Sequence, residues 1–253
     1  MLDPALFITD PVFYAAAVPA VLLTGLSKSG FASGFGALAV PLMALCVPVP
    51  QAVAIMLPLL LVMDATGLQQ LWRERDDALV RRLVPAGLLG IAIGALLFDL
   101  LSPRAVAAVV GTLTLAFLVQ RLLWAPRPDA PQAPPWVGRL CALVSGFTSF
   151  VAHAGGPPLA AYMLPLKLPP KVLSGTLAVY FAAINAAKVL PYAALGLIDL
   201  RNMATAALLL PLAPLGVWVG VRLVHRVRAD WFYRIAYSGM AVAACKLLWD
   251  GLH

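Results

Sequence analysis

Ten apolar runs, separated by short clusters of Gly, Pro, Asp and Arg, divide the chain at about 11–26, 31–46, 50–70, 83–101, 104–123, 137–153, 157–166, 172–195, 202–222 and 231–249. A helix needs ~20 apolar residues to cross the hydrocarbon of a bilayer. The third, fourth, fifth, eighth, ninth and tenth runs reach that length. The pair at 137–153 and 157–166 is short and is broken by Gly155-Gly156-Pro157-Pro158, which predicts a re-entrant hairpin of two half-helices. A second helix-breaking stretch, from Gly25 through Ser27-Lys28-Ser29-Gly30 to Gly34-Phe35-Gly36, interrupts the first two runs. Between the halves, Ala125 to Pro135 is too rich in proline for helix and reads as an extended linker.

The two halves align on their punctuation. Gly25, Gly34, Pro48 and Asp64 correspond to Gly146, Gly155, Pro169 and Asn185 at a constant separation of 121, and Pro85, Gly90 and Gly94 correspond to Pro211, Gly216 and Gly220 at 126. The expected organisation is an N-terminal transmembrane repeat over 1–124, a linker over 125–136 and a C-terminal repeat over 137–253, forming one integral membrane domain. Each repeat is a broken or re-entrant helical hairpin followed by three transmembrane helices. Paired interruptions at matching positions of two halves point to the binding site of a secondary transporter.

Composition agrees with a membrane solvent. Apolar residues make up 62% of the chain and charged ones 11%, with mean hydropathy +0.92, whereas a soluble domain has about a quarter of its residues charged. The net charge of +7 sits at segment ends rather than on a clustered soluble face, which argues against nucleic acid. Arg73, Arg75, Arg81 and Arg82 follow the third run, Arg121, Arg127 and Arg139 flank the linker, and Arg222, Arg226 and Arg228 follow the ninth. The positive-inside rule makes 73–82, 121–139 and 222–228 cytoplasmic. The loops at 99–104 and 196–201, each with one acid and one arginine, face out, so the repeats have inverted topology. The basic loops also suit anionic lipid headgroups. Trp72, Trp124, Trp136, Trp231 and Trp249 fall at segment ends, where indoles sit at the interface. Cys46, Cys141 and Cys245 lie apart in apolar stretches and read as small core hydrophobes. Asp3 and Asp10, with no basic region before the first run, argue against a cleaved signal peptide.

This topology makes 11–46 an outer hairpin and 137–166 an inner one, their tips meeting near the midplane. Irregular backbone at that depth must be buried in protein or line a polar cavity. Half-helices starting after Gly30 and Pro158 would offer unpaired N–H groups and positive dipole ends, a setting for an oxyanion. Gly30, Gly34, Gly155 and Gly156 permit close approach, and Ser27, Ser29, Ser33, Thr148 and Ser149 add hydroxyl donors.

The hairpin ending in Gly34-Phe35-Gly36-Ala37-Leu38-Ala39-Val40-Pro41, the Pro48 break before Gln51-Ala52-Val53-Ala54, and the Gly-Gly-Pro-Pro hairpin of the second half together resemble the sulfite exporter TauE/SafE family, a toluenesulfonate uptake group. The resemblance covers nearly the whole chain. It implies a bacterial inner-membrane carrier of sulfite, sulfonates, sulfoacetate or related organosulfur anions, coupled to an ion. Many members carry three consecutive glycines in the first hairpin, where this chain has Gly34-Phe35-Gly36.

The intramembrane polar residues are then the candidate ligands. Lys28 at the first tip either binds substrate or snorkels to the outer surface. His153 in the second tip either serves an anion or a proton, or is a hydrogen-bonded structural histidine. Asn185 and Lys188 lie one turn apart on one face, with Lys188 an anion ligand or a partner of Asp64. Asp64 and His153 are the coupling candidates, for protons or sodium. Gln51, Gln69 and Tyr180 are weaker cavity candidates. The expected partners are a small anionic substrate and the bilayer, with no cofactor or metal, and a homodimer through a small-residue face remains open. An intramembrane enzyme would need a nucleophile with an oriented base or a metal site. No His pair, HExxH, GxSxG or paired intramembrane carboxylates supply one, and no P-loop is present for primary energisation. An anion channel, or a carrier of a small carboxylate, is the nearer alternative.

Overall fold

The computed structural model describes residues 6–28, 35–123, 132–223 and 229–253. All the regular structure among them is helical. In order, these are α1 (Pro11–Lys28), α2 (Ala39–Met43), α3 (Val49–Leu71), α4 (Asp77–Leu100), α5 (Pro103–Leu123), α6 (Pro135–Ala152), α7 (Gly156–Met163), α8 (Pro170–Ala187), α9 (Val189–Ala194), α10 (Leu200–Leu209), α11 (Leu212–Leu223) and α12 (Ala229–Leu252). Seven segments among the described residues are long and apolar enough to cross a bilayer. The chain is a polytopic membrane protein.

Helix boundaries follow local chemistry. Pro11, Pro103, Pro135 and Pro170 each open a helix, where a missing N–H costs nothing and φ is already set. Asp76 caps α4 by accepting from the N–H groups of Ala78 and Leu79, both at 2.9 Å. Asp199 caps α10 by accepting from the N–H of Asn202 at 2.9 Å. Two apolar runs that read as continuous are each split in two. Pro191 lacks an N–H for the carbonyl of Ala187 and crowds it, and α8 ends there. Pro211 similarly separates α10 from α11, whereas Pro85 is accommodated inside α4.

The second hairpin also differs from expectation. With 18 residues, α6 is about 27 Å long and is a full-length helix rather than a half-helix. Its Ser145 to Ser149 stretch stays helical, and only the 8-residue α7 is of half length. Ser27 and Lys28 belong to the last turn of α1, not to a loop.

The helices pack in pairs: α1 on α11, α4 on α6, α3 on α8 and α5 on α12. Exchanging the halves turns α1–α11 into α6–α4 and leaves α3–α8 and α5–α12 as they are. Close glycine approaches occur in both the α1–α11 and the α4–α6 pair. A Cβ on Gly25 would lie 2.7 Å from Gly216 backbone, and one on Gly216 would lie 3.2 Å from Leu22. In the other pair, a Cβ on Gly90 would lie 2.0 Å from the carbonyl oxygen of Leu143, and one on Gly146 would lie 2.0 Å from that of Gly87. Leu22 and Leu143 are separated by the same 121 residues as Gly25 and Gly146. Backbone-to-backbone contact through glycine is the usual way membrane helices gain packing without a hydrophobic driving force.

Large apolar side chains remain on the outer surface, among them Leu88, Leu89, Leu96, Leu97 and Leu100 along α4. In water this would be an aggregation-prone patch, and in lipid it is the hydrocarbon face. Trp72, Trp136 and Trp249 are exposed near helix ends. Cys245 departs from expectation: it is exposed on α12, while Cys46 and Cys141 are half-buried. Its place on the run's outer face, not its apolar neighbours in sequence, decides its burial.

Candidate functional site

The site is organised by the turn that ends α6. His153 follows the last helical residue with φ 53° and ψ 26°, the left-handed conformation. This costs a residue with a Cβ about 1–2 kcal/mol and is a position usually given to glycine. The turn is held by the N–H of His153 donating to Ser149 O at 3.0 Å and that of Ala154 donating to Thr148 O at 3.2 Å. The Thr148 hydroxyl lies 3.1 Å from Ala154 O, and the Ser145 hydroxyl donates to Gly155 O at 2.6 Å. A Cβ on Gly155 would lie 2.7 Å from Ser145 O, so glycine is what lets the turn fold back on α6.

The turn aims the imidazole of His153 at α3 and α8. Its Nε2 lies 2.9 Å from Val53 O. A carbonyl only accepts, so this nitrogen carries the proton and Nδ1 is left to accept. Nδ1 lies 2.9 Å from Nζ of Lys188. Lys188, at the break between α8 and α9, also reaches Ser149 Oγ at 2.8 Å and Asn185 Oδ1 at 2.8 Å. Its side chain is fully buried. Three neutral acceptors therefore surround the nitrogen, and no carboxylate is among them.

Asn185 connects this group to a second one. Its Oδ1 faces Lys188 and its Nδ2 donates to Asp64 Oδ2 at 2.6 Å, the one amide orientation that satisfies both neighbours. The other oxygen of Asp64 pairs with Nζ of Lys28. Lys28 also sits 5.2 Å from the ring centroid of Phe181. Asp64 is 3% exposed and Lys28 21%. In the structure Asp64 pairs with Lys28 and reaches Lys188 only through Asn185. Asp64 and Asn185, equivalent by the 121-residue separation, are in direct contact.

Charge does not balance in this cluster. With both lysines as ammonium groups, two positive charges face one carboxylate, and the adjoining stretch 29–34 contains no charged residue. An uncompensated cation at membrane depth is costly unless an anion or water reaches it.

Other candidates separate from this group. Ser29, Gly30, Ser33 and Gly34 lie outside the described residues. Ser27 faces the start of the next segment, its Oγ 3.7 Å from a Cβ built on Gly36. Thr148 holds the turn and makes no bond to either lysine. Gly156 opens α7, but Pro157 and Pro158 fall inside its first turn rather than before it. The two prolines have no N–H, so this helix end lacks donors that a free N-terminus would present. Gln51 donates to Asn202 Oδ1 at 3.1 Å, and the Tyr180 hydroxyl donates to Ala142 O at 2.8 Å, so both are engaged in packing between helices. Gln69 lines a cavity of about 540 Å³ with Leu68, Gln70, Trp72, Arg73 and Glu74, beyond Asp64 on α3. Ser145 and Val53 were not legible as site residues: one acts through a loop carbonyl and the other through its own backbone. Among the described residues, no three His, Cys, Asp or Glu side chains are grouped to hold a metal ion.

Neither the curated proteins nor the solved structures include a match to this chain. A family model described as sulfite exporter TauE/SafE matches residues 17–247, nearly the whole length. Together with the apolar helices and the buried charged cluster, this match identifies the chain as a member of the sulfite exporter TauE/SafE family of membrane transporters.

Proposed function

We propose that the chain is a secondary carrier, by its family an exporter, of small sulfur oxyanions or organosulfur anions such as sulfite, sulfonates or sulfoacetate. It works in a bacterial inner membrane, as a monomer or homodimer, with the basic loops 73–82, 121–139 and 222–228 in the cytoplasm. The observation that carries this reading is the buried cluster of Lys28, Asp64, Asn185, Lys188, Ser149 and His153, two lysines to one carboxylate, at the meeting of α1, α3, α6 and α8. An entering anion is the partner that lets both lysines be charged. The neutral acceptors around Lys188 are the groups it displaces.

Exchange-related helix pairs support alternating access by one inverted repeat rocking against the other. Asp64 on α3 and Asn185 on α8 join the two halves across the contact between those helices. Coupling to protons or sodium falls within this cluster, with Asp64 and His153 as its titratable neighbours of the lysines.

The test is uptake into proteoliposomes of sulfite, methanesulfonate, thiosulfate and acetate, with and without proton or sodium gradients. Saturable flux of a sulfur oxyanion with counterflow is expected. Flux without saturation or counterflow would make the protein a channel, and no flux of any anion would overturn the reading.

A further inference from the structure

Lys188 is buried completely, and its contacts are a hydroxyl, an imidazole nitrogen and an amide oxygen. This shell serves two charge states equally. An ammonium donates to all three. An amine donates to His153 Nδ1 and Asn185 Oδ1 and accepts from the Ser149 hydroxyl, which rotates its proton inward. Among the described residues, Lys188 is the partner of the Ser149 hydroxyl. His153 and Asp64 lack such freedom. The imidazole proton of His153 is fixed on Nε2 by Val53 O, and a second proton on Nδ1 would point at Lys188. Both oxygens of Asp64 already receive donors, from Lys28 and Asn185, so a proton there would break a bond.

We propose that Lys188 is the group that takes up the coupled proton, so that an anion enters the site together with one proton and the two leave as a pair. The proposal rests on the anion-carrier reading. A buried ammonium without a carboxylate in contact is unfavourable, and an anion beside it removes that cost. The balance is simple: the amine nitrogen gains one proton from bulk water as one anionic charge arrives, and the net charge of the cluster does not change. The charged and titratable groups facing Lys188 among the described residues are His153 at the end of α6, Asp64 on α3 through Asn185, Lys28 on α1 beyond Asp64, and Tyr192 on α9. The Tyr192 hydroxyl is committed to Phe150 O at 2.7 Å.

The experiment titrates the purified full-length protein in detergent with sodium methanesulfonate, which carries no titratable proton near neutrality. The pH of the weakly buffered solution is followed by electrode, and binding is followed in parallel by calorimetry. Expected is an uptake approaching one proton per anion bound at pH 8, declining as the pH is lowered and the amine is already protonated. The uptake per anion bound should persist in His153→Gln and Asp64→Asn, at whatever affinity each variant retains. In Lys188→Arg, whose charge is permanent, binding without uptake is expected. Binding heat with no proton uptake in the wild type would overturn the proposal while leaving the carrier reading intact. Loss of uptake in His153→Gln or Asp64→Asn with binding retained would also overturn it, by moving the proton to that residue. Absence of any binding heat would remove the anion site and the proposal with it.

Discussion

Replacing Asp64 with Asn tests whether the Lys28 pair is an energetic unit. The amide is the same size and still offers an oxygen to Nδ2 of Asn185, so the change removes the charge facing Lys28 and turns a donor nitrogen toward that ammonium. Breaking a buried ion pair by removing one partner costs about 3–5 kcal/mol, because the other charge is left alone. Lys28 keeps 21% of its side-chain surface, and water there softens its isolation, so we take the lower end, about 3 kcal/mol. Lys28→Met isolates Asp64, which is only 3% exposed, and should cost about 4 kcal/mol. Combining the two removes both charges and should cost about 1–2 kcal/mol, a coupling of several kcal/mol. Thermal unfolding in detergent, read by tryptophan fluorescence, should place the single variants ~6–16 °C below wild type and the double variant within ~8 °C of it. Additive losses in the double variant would refute the reasoning.

Further outcomes follow from packing and capping. Gly146→Ala drives a Cβ to 2.0 Å from Gly87 O, where helix backbone on both sides cannot give way, and should cost at least about 3 kcal/mol in the same assay. Gly67→Ala, whose Cβ would lie 4.0 Å from Ala178, should be neutral or stabilising by up to about 1 kcal/mol. Asp76→Ala removes the cap of α4 and should cost about 1 kcal/mol, with Asp76→Asn recovering most of it, as measured by thermal midpoints. Tyr192→Phe leaves Phe150 O without its buried donor and should cost about 1–3 kcal/mol.

Much of this architecture is written in single residues. Charged and amide side chains inside apolar runs are rare enough that Lys28, Asp64, Asn185 and Lys188 stood out one by one, and the structure gathers all four into one chain of contacts. The punctuation by Gly and Pro likewise marks where helices approach closely, as at Gly25 and Gly146. What escaped the sequence depends on approach in three dimensions. Which lysine would take the carboxylate could not be read from spacing, since Lys28 lies 36 residues from Asp64 and both lysines are compatible with it. Val53 contributes only a carbonyl, which every residue has. The break at Lys188 was hidden by an unbroken apolar run, although Pro191 three residues later explains it. The loss of donors at α7 turned on whether Pro157 and Pro158 precede the helix or fall in its first turn, a shift of three residues.

The account's central claim is that the Lys28–Asp64–Asn185–Lys188 cluster binds the transported anion. The most direct measurement is the concentration dependence of sulfite uptake into proteoliposomes for wild type and for the combined Asp64→Asn and Lys28→Met protein, which should fold normally. The account predicts that the folded double variant loses at least tenfold in apparent affinity. Uptake indistinguishable from wild type in that variant would contradict it.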